Sequence, residues 1–145
     1  MLELLKREIK LTSLNLSNCS SVDDDVVSDL CCLFSQNSTI KELRLDRTEI
    51  SEAGLKKIFE TIKQSLKVHT LSVEGCRLSL KGKRGVHISN LLKENISLTH
   101  FNYKRNKYDS DFFDSISKEL DLNKQIYVNI IPQLVSQEKE AREKT

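Results

Sequence analysis

Three histidines, four cysteines, a run of acids and a glycine-spaced basic segment are the residues whose chemistry could mark a catalytic or metal site. Catalysis needs a nucleophile, a base and a group that orients it, or a metal cluster, brought together in space. His69, His87 and His100 are scattered along the chain, and no Ser or Cys motif accompanies them. The cysteines are Cys19, Cys31, Cys32 and Cys76, with no C-x-x-C pair of the kind that binds zinc. The acids Asp23, Asp24 and Asp25 lack the alternating Asp/Asn and closing Glu of a calcium loop. They precede an apolar periodic stretch, Val26 to Gln36, where Ser21 or Asp23 serves as helix cap and the acids interact favourably with the helix dipole. The basic segment places Lys81, Lys83 and Arg84 around Gly82 and Gly85. A phosphate-binding loop would require glycine where Arg77 stands and Ser or Thr where Arg84 stands. The segment is then either a solvated loop or, with Arg77, Arg105 and Lys107, a basic contact patch for an acidic partner or RNA. No catalytic residue, cofactor or metal ligand is expected, and the chain reads as a non-enzyme.

The elements that position these residues come from one unit, Ile40 to Lys67. Ile40, Leu43 and Leu45 make a short strand, Thr48 and Ile50 turn the chain, Ser51 caps a helix, and Leu55, Ile58, Phe59 and Ile62 recur at helical spacing. Such a unit buries its apolar face only against copies of itself. The copies start at Leu11, Ile40, Val68, Leu98 and Ile126, separated by 29, 28, 30 and 28 residues. They give the pattern LxxLxLxx(N/C/T), with Phe101 and Tyr103 in leucine positions of the fourth. The helices repeat in the same register. Leu30, Ile58, Ile88 and Ile116 precede successive strand starts by one fixed offset, and Phe34, Ile62, Leu92 and Leu120 by another. Asn37, Ser65, Asn95 and Asn123 follow, where asparagine suits a left-handed helix end.

From Leu2 to about Ile131 the chain resembles the leucine-rich repeat family of ribonuclease-inhibitor type. The resemblance implies an α/β fold, a right-handed solenoid with a parallel sheet on the concave face and helices on the convex face. The family places Asn or Cys at the strand end to satisfy loop backbone groups; here Cys19, Thr48, Cys76 and Asn106 stand there, and Asn106 suits the role best. Cys19 and Cys76 would lie two strands apart, roughly 10 Å, whereas a disulfide needs less than about 7 Å, so the cysteines are expected to be reduced. The four N-x-S/T matches at Asn15, Asn18, Asn37 and Asn95 are read as chance.

Strand alternation turns the leucine positions inward and the residues between them outward on the concave face. These are Ser13, Asn15 and Ser17; Glu42, Arg44 and Asp46; Thr70, Ser72 and Glu74; and His100, Asn102 and Lys104. The strip is polar and of mixed charge, and Arg44 is the best anchor for a protein partner.

Within the family, ISNLLKENISLTHFNYKRN and the helix DFFDSISKELDLN resemble the C-terminal repeats of tropomodulins, which cap actin filament pointed ends. The resemblance makes actin a candidate partner; no tropomyosin-binding region is present.

Composition agrees with one repeat module: 145 residues, 38% hydrophobic, four Gly, one Pro and a net charge of +2. That charge does not announce nucleic acid or a membrane, no apolar run spans a bilayer, and the charged start MLELLKREIK is no signal peptide, so a cytoplasmic location is expected. Leu2 to Glu8 reads as the end of a helix from a partial repeat covering residues 1–10, which leaves open a longer array, a minimal cap, or a terminal edge that self-associates or is covered by a partner. At the other end, Ile126 and Ile130 are expected to form a last partial strand closed by Pro132, followed by a charged tail, 132–145, with helical i,i+4 pairs. The repeat domain is thus 1–131. The function expected is binding of a protein partner through the concave face and adjacent loops; the rivals are an actin-binding, tropomodulin-like cap and an RNA or acidic-partner site at residues 81–84.

Overall fold

The computed structural model describes residues 11–36, 39–63 and 67–143. The segment Leu2–Glu8, Asn37 and Ser65, all read above from sequence, lie outside the described residues. Four strands form one parallel sheet in chain order: β1 (Ser13–Asn15), β2 (Glu42–Arg44), β3 (Thr70–Ser72) and β5 (His100–Asn102). Pairing is in register with the repeat: Leu14 stands beside Leu43, Leu43 beside Leu71, and Leu71 beside Phe101. Two short strands, β4 (Ser79–Leu80) and β6 (Lys107–Tyr108), pair in parallel in a second ladder.

Between the strands run α1 (Asp24–Gln36), α2 (Glu52–Ile62) and α3 (Gly82–Lys93), followed by α4 (Ser110–Asn129) and α5 (Ile131–Glu143). The inward leucines of the strands and one face of α1 to α4 form a single core that includes Leu43, Leu45, Leu71, Leu55, Ile58, Phe59, Ile88, Leu92 and Ile116. A three-residue strand has little ladder of its own; side chains stacked at the period of about one strand spacing supply the cohesion.

Helix starts follow the local chemistry. Asp23 accepts from the Val26 amide, Ser51 from Ala53 and Asp109 from Phe112. First-turn and cap acids also join neighbouring repeats: Asp24 accepts from the Ser51 amide at 2.8 Å, Glu52 from the Ser79 amide at 2.6 Å and Asp109 from the Gly82 amide at 3.0 Å. Of the three acids, Asp23 is thus engaged as a cap and Asp24 as an inter-repeat tie.

The Gly82 and Phe112 amides hold the Asp109 carboxyl below the usual carboxylate range. A depressed folded-state value contributes stability that is present above the unfolded value and lost as pH falls through the folded one. Acidification below the ordinary carboxylate range is therefore expected to shift the Gly82 and Phe112 amide resonances with one common midpoint that Asp109→Asn abolishes, measured by an NMR pH titration.

Three expectations are corrected. The last partial strand does not form: Ile126 lies inside α4, which runs to Asn129. Asn129 falls where earlier repeats place Leu14, Leu43, Leu71 and Phe101, so a strand here would turn an amide into the core, whereas a helix satisfies its backbone internally. Pro132 does not end structure; it stands in the first turn of α5, where the missing N–H would have had no partner. Asn95 and Asn123 are not left-handed helix ends. Asn95, fully buried, accepts from the Ser97 and Leu98 amides and donates to the Ile62 carbonyl, and Asn123 donates to Asn95 O and Leu98 O. Positive φ falls instead three residues after each strand of the four-stranded sheet, at Asn18, Arg47, Gly75 and Arg105, and again at Arg77 and Gly82.

At the strand-end positions, Asn106 accepts from the Cys76 and Leu78 amides and donates to Val73 O and Tyr103 O. Thr48 and Cys76 both serve the Leu45 carbonyl, at 2.8 and 3.1 Å, while Cys19 is exposed.

Candidate functional site

Register sets the twelve strip residues in three rows across the sheet. Ser13, Glu42, Thr70 and His100 stand side by side, as do Asn15, Arg44, Ser72 and Asn102. Ser17, Asp46, Glu74 and Lys104 continue the same register just beyond the strands.

These rows differ in what their side chains already hold. Asp46 and Ser72 are buried, not displayed: Ser72 Oγ donates to Asp46 Oδ1 at 2.5 Å, and the Glu74 amide donates to the same oxygen at 2.8 Å. Ser17 Oγ accepts from the Asp46 amide, and Asn102 Nδ2 donates to Glu74 Oε2 at 3.3 Å. Polar groups at strand ends meet each other across repeats, and burying one without a partner would cost about 1–3 kcal/mol. Alternation therefore set which side chains leave the leucine side of the strand, but not which of them stay exposed.

The available set is Ser13, Asn15, Arg44, His100 and Lys104, exposed, with Glu42 and Thr70 half-buried among them. Arg44 Nε donates to Glu42 Oε1 at 2.5 Å, and this bond and charge keep the guanidinium pKa above its ordinary value. Around the pair, Thr70, Leu71, His100 and Asn102 complete a shallow depression of about 340 Å³. Its chemistry is that of a fixed, oriented cation flanked by hydrogen-bonding groups, suited to a carboxylate or backbone carbonyls.

The basic segment is not a loop. Lys81 occupies the N-cap of α3 without a side-chain bond, and Lys83 and Arg84 lie in the first helical turn. Cations there oppose the helix dipole. Arg84, Arg77 and Arg105 lie 3.7, 3.4 and 3.5 Å from Glu52, Glu49 and Glu74, so half of the six-residue patch is matched by acids; Lys81, Lys83 and Lys107 remain exposed.

Histidine and cysteine chemistry does not converge. His69 Nδ1 lies 3.1 Å from Thr70 Oγ1, His100 Nδ1 lies 3.0 Å from Thr99 Oγ1, and His87 is exposed on α3. Among the described residues no three His, Cys, Asp or Glu are grouped to hold a metal. Cys31 and Cys76 are buried, Cys19 and Cys32 exposed; burial pushes the Cys31 thiol pKa up. The sequon at Asn95 is closed to modification, since its amide is fully buried and bonded to Ile62 O.

One feature lay beyond the sequence reading. Past β5 an open groove of about 480 Å³ runs between the strand and α4, with Phe101, Tyr103, Tyr108, Phe113 and Leu120 as its apolar walls. Phe101 meets Phe59 edge-on at 5.3 Å, and Tyr103 meets Tyr108 and Phe112, each at 5.0 Å. Desolvation, with Tyr108 adding, pushes the Tyr103 phenol up to about 12, so it stays neutral as a wall. The aromatic exchange at Phe101 and Tyr103 was the visible signal. Its meaning depended on the strand that fails to follow.

Among the described residues no helix is long and apolar enough to cross a membrane. No family model matches the chain. The human NACHT, LRR and PYD domains-containing protein 13 is 30% identical over 110 residues, which are 76% of this chain and 10% of that protein. The chain thus spans about a tenth of that relative's length. The solved structure "Leiomodin-1 Actin-Binding Site 2 (ABS2)" superposes with a TM-score of 0.70 at 21% identity, covering 99% of this chain and 95% of that one. The tropomodulin C-terminal domain of Caenorhabditis elegans superposes with a TM-score of 0.58 at 17% identity, covering 86% of this chain and 91% of that one. The parallel sheet, the helices beside it and these likenesses make this a mixed α/β domain of the leucine-rich-repeat-like fold found in tropomodulin and leiomodin.

Proposed function

We propose that this chain is a non-enzymatic protein-recognition module that engages its partner through the open sheet face around Arg44, and that the partner is actin. The observation that carries the choice of surface is the oriented Arg44–Glu42 pair beside Thr70 and His100, the part of the strip that stays exposed or half-buried. Support for the choice of partner is the likeness to the leiomodin-1 actin-binding domain across almost the full length of both chains. Arginine is favoured as an anchor because its planar fork meets carboxylates with fixed geometry. Glu42, Thr70, His100 and Lys104 frame the anchor, and Ser13 and Asn15 extend the face. RNA is the weaker reading, because Glu49, Glu52 and Glu74 offset half of the basic patch.

The test is sedimentation with filamentous actin and size exclusion with monomeric actin, using the chain and an Arg44→Glu variant. Binding is expected for the chain and a loss of about tenfold or more for the variant, with the thermal transition of the two proteins unchanged. Failure to bind either form of actin overturns the partner. Undiminished binding by the variant overturns the face.

A further inference from the structure

The last strand of the sheet carries an unused copy of the ladder that joins all the others. The carbonyls of Thr12, Lys41 and His69 each accept from amides of the following strand, those of Lys41, His69 and Thr99 respectively. The amides of Leu16, Leu45 and Val73 donate to Arg44, Ser72 and Asn102, and those of Asn18, Arg47 and Gly75 donate to Asp46, Glu74 and Lys104. One repeat further on, the equivalent groups are Thr99 O, Tyr103 N and Arg105 N. Among the described residues the sheet order ends at β5, so these groups face outward. An edge of this kind is a template for one more strand.

What lies beside the edge specifies the strand it would take. On the helix side is the apolar groove formed by Tyr103, Tyr108, Phe113 and Leu120. Phe113 keeps half its surface in solvent and Tyr108 more than a third. The charged side chains lining the groove are Lys104 and Lys124, with His100 nearby and no carboxylate among the lining residues. A strand turns alternate side chains to opposite faces. One set would enter the groove and the other would stand over the sheet face beside His100 and Lys104.

We infer that the β5 edge is a docking site for an extended segment of a partner protein in which apolar and acidic residues alternate, bound as an added strand. Main-chain bonds to Thr99, Tyr103 and Arg105 supply the register, the aromatic walls take the apolar side chains, and Lys104 and Lys124 select for acids. The site adjoins the Arg44 face and shares His100 and Asn102 with it, but does not use Arg44.

The probe is a fluorescent peptide of alternating glutamate and valine, tested on the full chain by anisotropy and by amide hydrogen exchange. Saturable binding is expected, with slowed exchange at Tyr103 and Arg105. The Lys104→Glu, Lys124→Glu variant and the Phe113→Ser variant should each bind about tenfold more weakly. Because Lys104, Lys124 and Phe113 are exposed, their thermal transitions serve as the check on folding. Replacing glutamate by lysine in the probe, or N-methylating alternate residues, should abolish binding. The Arg44→Glu variant should bind the probe normally, so loss of actin binding and loss of this site remain distinguishable. The inference is overturned by no binding of the probe, by equal binding of the lysine peptide, by unchanged exchange at Tyr103 and Arg105, or by an oligoribonucleotide displacing the probe at lower concentration.

Discussion

Phe59→Ala is expected to destabilise the fold by about 4 kcal/mol, the upper part of the range for truncating a buried aromatic. Phe59 is fully buried on α2, and its ring meets Phe101 of β5 edge to face at 89°. It therefore ties a helix to the strand two repeats' width along the sheet, and alanine leaves a cavity between elements that are each held by their neighbours. The edge-to-face contact itself adds about 1 kcal/mol beyond the buried area. Neighbouring walls cannot collapse into the space without breaking the register of Leu71 with Phe101. In urea denaturation the midpoint should fall by about 2 M, taking a slope of about 2 kcal/mol/M. Phe113→Ala is the internal comparison: the same chemical change at a half-exposed ring should move stability by less than about 0.5 kcal/mol. Equal losses at the two positions would mean that Phe59 is not a core residue.

Gly85→Ala is expected to cost about 3 kcal/mol, the larger end of the usual overpacking penalty. A β-carbon at Gly85 would lie 2.3 Å from the Leu80 carbonyl oxygen and 3.0 Å from its carbon. The obstructing atoms are backbone, so relief requires α3 to move away from β4, and Phe112 at 3.2 Å closes the other direction. Gly82, three residues earlier, is constrained differently. It has open space around it but φ of +57°, so Gly82→Ala should cost only about 1 kcal/mol through backbone strain. Thermal unfolding of the pair separates the two mechanisms: a bulkier Gly85→Val should be worse than alanine, whereas Gly82→Asn should recover most of the loss because asparagine tolerates the left-handed region. Similar losses at both sites would remove the close-packing explanation.

The repeat was legible because its period is written in residue type. Leu14, Leu43, Leu71 and Phe101 fall in register in the sheet, and Leu55, Ile58, Phe59 and Ile62 are all buried, as helical spacing required. The capping roles of Ser51 and Asp23 were equally local, since an N-cap involves residues two or three apart. The role of Asn106 followed from side-chain inventory: an amide can donate to both Val73 O and Tyr103 O while accepting from the Cys76 and Leu78 amides, whereas a hydroxyl has a single donor.

Strand alternation was legible, but not which of the outward residues stay exposed. Alternation put Asp46 and Ser72 on the same face as Arg44, but the stacking of one strand end against the next brought their side chains together and buried them. Such pairing spans 26 residues of chain and has no local signature. Likewise the Lys81–Arg84 segment has the composition of a loop, and its helical start rests on β4 pairing with β6 and on Asp109 holding the Gly82 amide.

The C-terminal end divides the two kinds of information most clearly. By itself the amino-acid sequence determined the repeat length, the strand–turn–helix order and the apolar side of each element. Whether the fifth copy would close the sheet was decided only in three dimensions. A strand at Ile126 has to be accepted by the edge of β5 and must send Asn129 into the core, while a helix needs nothing but its own carbonyls. The helix forms, and among the described residues β5 is left as the edge strand of the sheet beside an aromatic groove.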